Sequence, residues 1–324
     1  MLMSVILFAV GLVLLIKGGD WFVDGATGIA KRFNLPDIVV GATVVSIGTT
    51  LPEVMVSTAG ALAGSGAMAY GNAIGSIICN TALIAAISIT CNPGPVNVKS
   101  MKTPAIFFFC SAAIYCVAAY ALGTFPRWLG FIMLSVFVCY MVLTVRNGMK
   151  NPDTSAEEEE DEGKDRKLWQ ELLMLVAGAA VIAVGADLLV DHGQIIAREL
   201  GVPETVVALL FVALGTSLPE LVTTITSLKK GRASLGVGNV IGANVFNLVL
   251  VSGVAVSLAP FDVPVENTLL NTGLNLSLVF DIPVMLLVMS LMIFPALAKK
   301  KLGRWQGILL LGIYAAFCVC QFVL

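Results

Sequence analysis

Gly48-Thr49-Thr50-Leu51-Pro52-Glu53 and, 167 residues later, Gly215-Thr216-Ser217-Leu218-Pro219-Glu220 are the stretches on which the reading of this chain turns. Each interrupts a long apolar run with small hydroxyl side chains, a proline and a carboxylate. Pro52 removes a backbone donor and crowds the carbonyl four residues back, that of Gly48, so nearby carbonyls can turn away from the helix ladder. Glu53 follows Thr50 by three residues and Thr49 by four, which puts all three on one helix face. The second stretch repeats every element with Thr216, Ser217 and Glu220. Two carboxylates, hydroxyls and freed carbonyls make an oxygen-only donor set, which suits a hard cation.

The repeat extends well beyond these hexapeptides. Ile38–Ile84 aligns with Thr205–Val251 without a gap, and 15 of the 47 positions are identical. Gly71-Asn72, Ile74-Gly75 and Asn80 match Gly238-Asn239, Ile241-Gly242 and Asn247. The same offset pairs Gly18, Asp20, Val23, Asp24, Ala30 and Pro36 with Gly185, Asp187, Val190, Asp191, Ala197 and Pro203. One register kept over so long a stretch marks a duplicated architecture.

Of 324 residues, 58% are apolar and 12% charged, whereas a soluble domain carries about 25% charged residues. The chain reads as an all-α integral membrane protein. Segments of about 20 apolar residues fall near 2–30, 36–63, 68–92, 103–122, 127–146, 168–197, 204–228, 234–259, 274–297 and 304–323. The first is read as a membrane helix and not a signal peptide, because it has no basic leading region. With both termini outside, sixteen of the nineteen basic residues fall in inside loops, Arg127 and Arg198 fall outside, and Lys17 sits within the first span; the positive-inside rule therefore supports ten transmembrane helices. Residues 1–146 form a first five-helix repeat, 147–167 an acidic cytoplasmic linker and 168–324 a second. Five is odd, so the second repeat enters the membrane inverted, and broken helices are expected in spans 2 and 7. Inverted repeats place substrate near the midplane. The run Glu157-Glu158-Glu159-Glu160-Asp161-Glu162 reads as a solvated linker.

A charged side chain at mid-bilayer depth costs at least ~2.5–3.5 kcal/mol by insertion scales. Two facing carboxylates add mutual repulsion, which Ca2+, several Na+ or protons would cancel. Rival cations would then compete for one site, and that is a physical basis for exchange. The opposing wall comes from Asn72, Ser76 and Asn80, spaced by four, and from Asn239, Ala243 and Asn247, with Asn244 adjacent. Asn80 and Asn247 read as ion contacts. Asn72 and Asn239 stay open between ion contact and interhelical hydrogen bonding. Asp20, Asp24, Asp187 and Asp191 line an entry path or pair helices, and Asp281 and His192 receive no role. The seven cysteines read as small packing residues. No nucleophile–base constellation, phosphate loop or basic nucleic-acid patch occurs, so the expectation is a non-enzyme without cofactor or protein partner, driven by an ion gradient.

The doubled Gly-Thr-[Thr/Ser]-Leu-Pro-Glu motif, each copy followed by Gly-Asn-x-Ile-Gly, resembles the repeats of the Ca2+/cation antiporter superfamily, most of all the prokaryotic Na+/Ca2+ exchangers. Gly303-Arg304-Trp305-Gln306-Gly307 and the charged central loop fit the same pattern. The resemblance implies a prokaryotic cell membrane and electrogenic exchange of Ca2+ for Na+, with H+/Ca2+ antiport as the alternative and a passive cation channel as a more distant one. It further implies that Glu53 and Glu220 hold Ca2+ with the carbonyls of Thr49 and Thr216. Na+ would use Thr50, Ser217, Ser76 and the carbonyls of Ser46 and Ala213, with Asn80 central and Asn247 opposite. It implies too that spans 1 and 6 slide across the core. Ala243 and Asn247 depart from the pattern, where a serine and an aspartate are common.

Overall fold

The computed structural model describes residues 2–33, 35–150, 166–200, 215–263 and 275–323, and helix accounts for nearly all of them. In chain order these are α1 (Leu2–Arg32), α2 (Asp37–Leu62), α3 (Gly66–Cys91), α4 (Val98–Leu122), α5 (Arg127–Lys150), α6 (Leu168–Glu199), α7 (Leu218–Lys229), α8 (Ala233–Leu258), α9 (Ser277–Lys299) and α10 (Arg304–Val323). Among the described residues eight helices, all but α7 and α10, are long and apolar enough to cross a bilayer. α7 and α10 stand where the seventh and tenth spans are expected. The start of the seventh span, 204–214, and most of the acidic linker, 151–165, lie outside the described residues.

Burial separates the helices into an inner and an outer set. In their most apolar windows α8, α3 and α2 are 83%, 72% and 61% buried, against 28% for α1 and 24% for α6. The helices bearing the polar motifs are therefore the ones shielded from lipid. Outer helices present residues such as Phe131, Val138, Val176 and Ile308 outward, as a hydrocarbon solvent permits.

Glycines dictate how the helices meet. In α1, Gly11, Gly18 and Gly25 recur every seven residues, two turns of helix, and so form one stripe. A Cβ added to Gly11 would lie 2.9 Å from the Gly185 carbonyl oxygen, and one on Gly18 would lie 3.0 Å from that of Gly178. The partner's number falls as the position in α1 rises, so α1 and α6 run antiparallel with their backbones in close contact. α2 and α8 pack in parallel by the same device. A Cβ on Gly242 would sit 2.6 Å from Ala42 Cα, and Gly41 and Gly238 close against Leu235 and Ile38.

The repeat is visible in the turns. α2 ends at Gly64 (φ 83°) and α7 at Gly231 (φ 72°), equivalent positions in the left-handed region. Gly64 and Ser65 donate N–H bonds to the carbonyls of Ala61 and Gly60, while Gly231 and Arg232 donate to those of Leu228 and Ser227. Both are helix C-caps that glycine allows because it has no Cβ. Two short antiparallel pairings tie the connections together: β1 (Gly94–Pro95) with β4 (Lys301–Leu302), and β2 (Thr124–Phe125) with β3 (Phe261–Asp262).

The expected break at Pro52 is not where α2 departs from regularity. α-Helix runs unbroken over Ser46–Leu62 with Pro52 inside it, and the irregular stretch is a π-helical turn upstream, Gly41–Val45. A helix tolerates an internal proline in a membrane protein when neighbouring groups absorb the freed carbonyls. In the second half the described residues turn at the motif itself. Thr216 and Ser217 form a turn, and α7 begins at Leu218 with Pro219 in its first turn, the position a proline favours.

Enlarging a seam glycine tests this packing. Gly185→Val should lower the melting temperature in detergent, with overpacking costing about 1–3 kcal/mol, and Gly185→Ala should have a smaller effect of the same sign. Equal stability of all three proteins would contradict the close α1–α6 contact.

Candidate cation site

Two long buried segments cross where the motifs lie. Glu53 projects from the middle of α2, and Glu220 from the first turn of α7, where the helix N-terminus favours negative charge. Both side chains are wholly excluded from the surface, as are Thr50, Asn80, Asn239, Asn244 and Asn247. Thr50 Oγ1 donates to Glu220 Oε1 at 3.5 Å, which links the first motif to the second.

A reciprocal clasp of asparagines surrounds this pair. Asn239 Oδ1 accepts from Ser46 Oγ and Thr49 Oγ1, both at 3.2 Å, while its Nδ2 donates to Thr223 Oγ1 at 3.0 Å. Its equivalent Asn72 accepts from Thr216 Oγ1 at 3.3 Å and from Ser76 Oγ at 3.5 Å, and donates to Ser57 Oγ at 2.8 Å and to the Glu53 carbonyl at 3.3 Å. Thr49 and Thr216 are thus each held by the asparagine of the other half. For Asn72 and Asn239, the open choice between ion contact and interhelical bonding falls on the bonding side.

Asn80 and Asn247 behave differently. Among the described residues neither amide has a hydrogen-bond partner, and the same holds for both Glu53 oxygens, Glu220 Oε2 and Ser217 Oγ. Each asparagine opens a π-helical segment, Asn80–Ala85 and Asn247–Val251. The segment that begins at Asn247 packs on the Glu53 helix, and the one that begins at Asn80 packs on α7. π-Turns are rare and frequent at functional sites, and here two start at residues related by the repeat. A buried polar group without a partner costs about 1–3 kcal/mol, and more when charged. A fold that keeps carboxylate, amide and hydroxyl atoms of this kind near one another has the donor set for a hard cation.

Of the expected site residues, the structure gathers Glu53, Glu220, Thr49, Thr50, Thr216, Ser217, Ser46, Ser76, Asn80 and Asn247 into the buried centre or the bonded layer around it. Ala213 lies outside the described residues. Ala243 is buried and contributes only bulk. Sequence reading passed over Thr223, which bonds to Asn239 and also donates to the Pro219 carbonyl at 2.9 Å. It missed as well a cluster without duplicate, in which Asn244 Nδ2 donates to Thr81 Oγ1 at 2.7 Å and both meet Met289 Sδ at 3.1 Å. The acidic residues of α1 pair helices: Lys230 Nζ lies 2.7 Å from Asp24 Oδ1 and 3.8 Å from Asp20 Oδ1. Asp281 accepts from Gln321 Nε2 at 2.7 Å, joining α9 to α10.

Known proteins match this chain along nearly its whole length. An uncharacterized membrane protein of Methanocaldococcus jannaschii is 34% identical over 95% of this chain and 94% of its own. The sodium/calcium exchanger MaX1 of Methanosarcina acetivorans is 28% identical over 98% of both. The solved structure of the sodium-calcium exchanger NCX_Mj, soaked with Na+ and Sr2+, superposes with a TM-score of 0.80 at 31% identity, over 98% of each chain. The family model described as sodium/calcium exchanger protein matches residues 3–146 and 171–323. Fold and matched length agree, and the chain belongs to the sodium/calcium exchanger family.

Proposed function

We propose that this protein exchanges Ca2+ for Na+ across a prokaryotic cell membrane by alternating access, with net charge moved in each cycle. The observation that carries this reading is the pair of fully buried carboxylates, three of whose four oxygens have no hydrogen-bond partner among the described residues. In this reading Ca2+ sits between Glu53 and Glu220 with the carbonyls of Thr49 and Thr216. Na+ takes sites that draw on Thr50, Ser217, Ser76, Asn80, Asn247 and the carbonyls of Ser46 and Ala213. One divalent or several monovalent cations neutralise the same two charges, so occupancy by one excludes the other. Protons could do likewise, which keeps H+/Ca2+ antiport as the rival.

Ten crossings in two inverted halves form part of the proposal. Support comes from which connections touch. Arg32–Glu171, Lys230–Asp24, Arg232–Asp37 and β1–β4 all join ends that an alternating ten-span path puts on one face. β2–β3, and Arg127 Nη2 donating to the Leu258 carbonyl, join ends on the other. The antiparallel α1–α6 seam agrees with inversion. The first face carries most of the basic residues, so it is the cytoplasmic one in this reading, and both termini lie outside.

Vesicles containing the purified protein should take up Ca2+ under an imposed Na+ gradient, and a membrane potential should alter the rate. Uptake that follows a pH gradient and ignores Na+ would replace this assignment with proton coupling. Two substitutions should separate chemistry from scaffold. Glu53→Gln should abolish exchange while leaving thermal stability equal or higher, because a buried charge is removed. Asn239→Leu removes the acceptor of the Thr49 hydroxyl and should lower stability by roughly 1–3 kcal/mol, with weakened exchange. A Glu53→Gln protein that still exchanges would overturn the proposed role of this carboxylate.

A further inference from the structure

An open hollow of about 550 Å³ lies where β1 and β4 pair, lined by Pro93, Gly94, Pro95, Lys299–Lys301, Leu302, Gly303 and Arg304. Four cationic residues therefore line one hollow. None of them has an acidic partner among the described residues, in contrast to Arg32, Lys230 and Arg232, which are all ion-paired. The primary structure gives the same picture, since no Asp or Glu occurs between Glu53 and Asp153 or after Asp281.

The hollow is built into the framework. Arg304 Nε donates to the Thr90 carbonyl at 3.0 Å, and Val96 N donates to the Lys300 carbonyl at 3.0 Å. Lys300 is the only non-glycine among the described residues with a positive φ, 53°, in the left-handed region that costs most side chains energy. The connection thus turns sharply at the centre of the basic triplet. Beside it, Lys299 Nζ lies 5.5 Å from the ring centroid of Trp305, which is 47% exposed. An exposed tryptophan at the end of a membrane helix marks the headgroup level, so the hollow sits at the depth of lipid phosphates.

We propose that this hollow binds the phosphate headgroup of an anionic phospholipid from the adjoining leaflet. Clustered cations, absent carboxylates and a tryptophan at the membrane boundary are the chemistry that recognises such a group, and basic pockets between membrane helices hold anionic headgroups in this way. A soluble phosphate would meet the same cations but would make no use of the tryptophan or of the interfacial depth. The site joins the α3–α4 connection to the α9–α10 connection, so a bound headgroup would clamp the two halves together at this face. The proposal does not depend on which ions the protein exchanges.

The test uses the full chain in nanodiscs of phosphatidylcholine with or without phosphatidylglycerol, with retained lipid read by native mass spectrometry. Wild type should retain phosphatidylglycerol selectively, and rising salt should weaken the retention. The double variant Lys300→Asn/Lys301→Gln keeps a residue that tolerates positive φ and removes two charges. It should lose roughly 30-fold in selectivity, equivalent to about 1 kcal/mol per cation. Lys31→Gln/Lys229→Gln removes the same charge from other connections expected on this face and should leave retention unchanged. An equal loss in that control would reduce the effect to general surface charge and overturn the site. Saturation by inorganic phosphate in pure phosphatidylcholine discs, or lipid retention that appears only after residues 151–165 are deleted, would assign the hollow to a soluble anion or to the chain's own acidic segment, and either result would also overturn the proposal.

Discussion

Two buried carboxylates are the constraint around which the rest of this protein is arranged. Glu53 and Glu220 are fully buried, and among the described residues no Lys or Arg side chain pairs with either. Inside a low-dielectric bundle an ionised carboxylate persists only if something positive or hydrogen-bonding meets it. The fixed help is modest: the Thr50 hydroxyl at 3.5 Å from Glu220, and the N-terminal end of α7. A lysine would satisfy the pair permanently and end its usefulness. Small neutral donors leave the charge to be answered by whatever cation enters.

The outer architecture follows from that demand. Polar helices must be lifted out of lipid, and α2, α3 and α8 are the most buried of the crossing helices although their most apolar windows still qualify as membrane spans. Close approach of their backbones needs glycine, and the sequence supplies it at Gly41, Gly238 and Gly242. Backbone-to-backbone packing leaves little room for adjustment. It is suited to fixing oxygen atoms to within fractions of an ångström, as a coordination shell requires. The asparagine clasp adds direction to this closeness. Asn72 and Asn239 spend their hydrogen bonds on hydroxyls and a carbonyl from facing helices, and so hold Thr49 and Thr216 in place.

Much of this was legible in the residues because duplication doubles every signal. A proline and a glutamate inside one apolar run are ambiguous, but the same pair 167 residues later, in register with Asn72 and Asn239, is not. Span limits were legible because a bilayer imposes a minimum apolar length. The unreadable parts are those with no local signature. A π-turn uses the same residues as an α-turn, so nothing in Gly41–Val45 or in Asn80–Ala85 announces the change of hydrogen-bond partner. The proline misled for a related reason: Pro52 weakens α2, but neighbouring packing keeps the helix intact, and the irregularity appears where Gly41 meets α8. The Asn244–Thr81–Met289 cluster has no equivalent in the other half, so the repeat could not flag it. The asparagine clasp required knowing which helices face one another, and that is a property of the tertiary fold.

Departures from symmetry inside the duplicated site are as informative as the symmetry. Thr50 donates to Glu220, yet among the described residues its equivalent Ser217 has no hydrogen-bond partner, and both Glu53 oxygens are likewise unpartnered. Ser46 donates to the Gly41 carbonyl across a π-turn, and Ser252 does the same for Asn247, at positions the repeat does not relate. Two halves related by a sequence repeat thus hold unequal local bonding in a single structure. For a symmetric scaffold, the arrangement with the roles of the halves exchanged uses much the same kinds of contact and differs little in energy. Two states of similar energy, related by exchange of the halves, are what an exchanger requires if its site is to face each side in turn. In the proposed alternating-access cycle, the inequality at Thr50 and Ser217 would be the local expression of one such state.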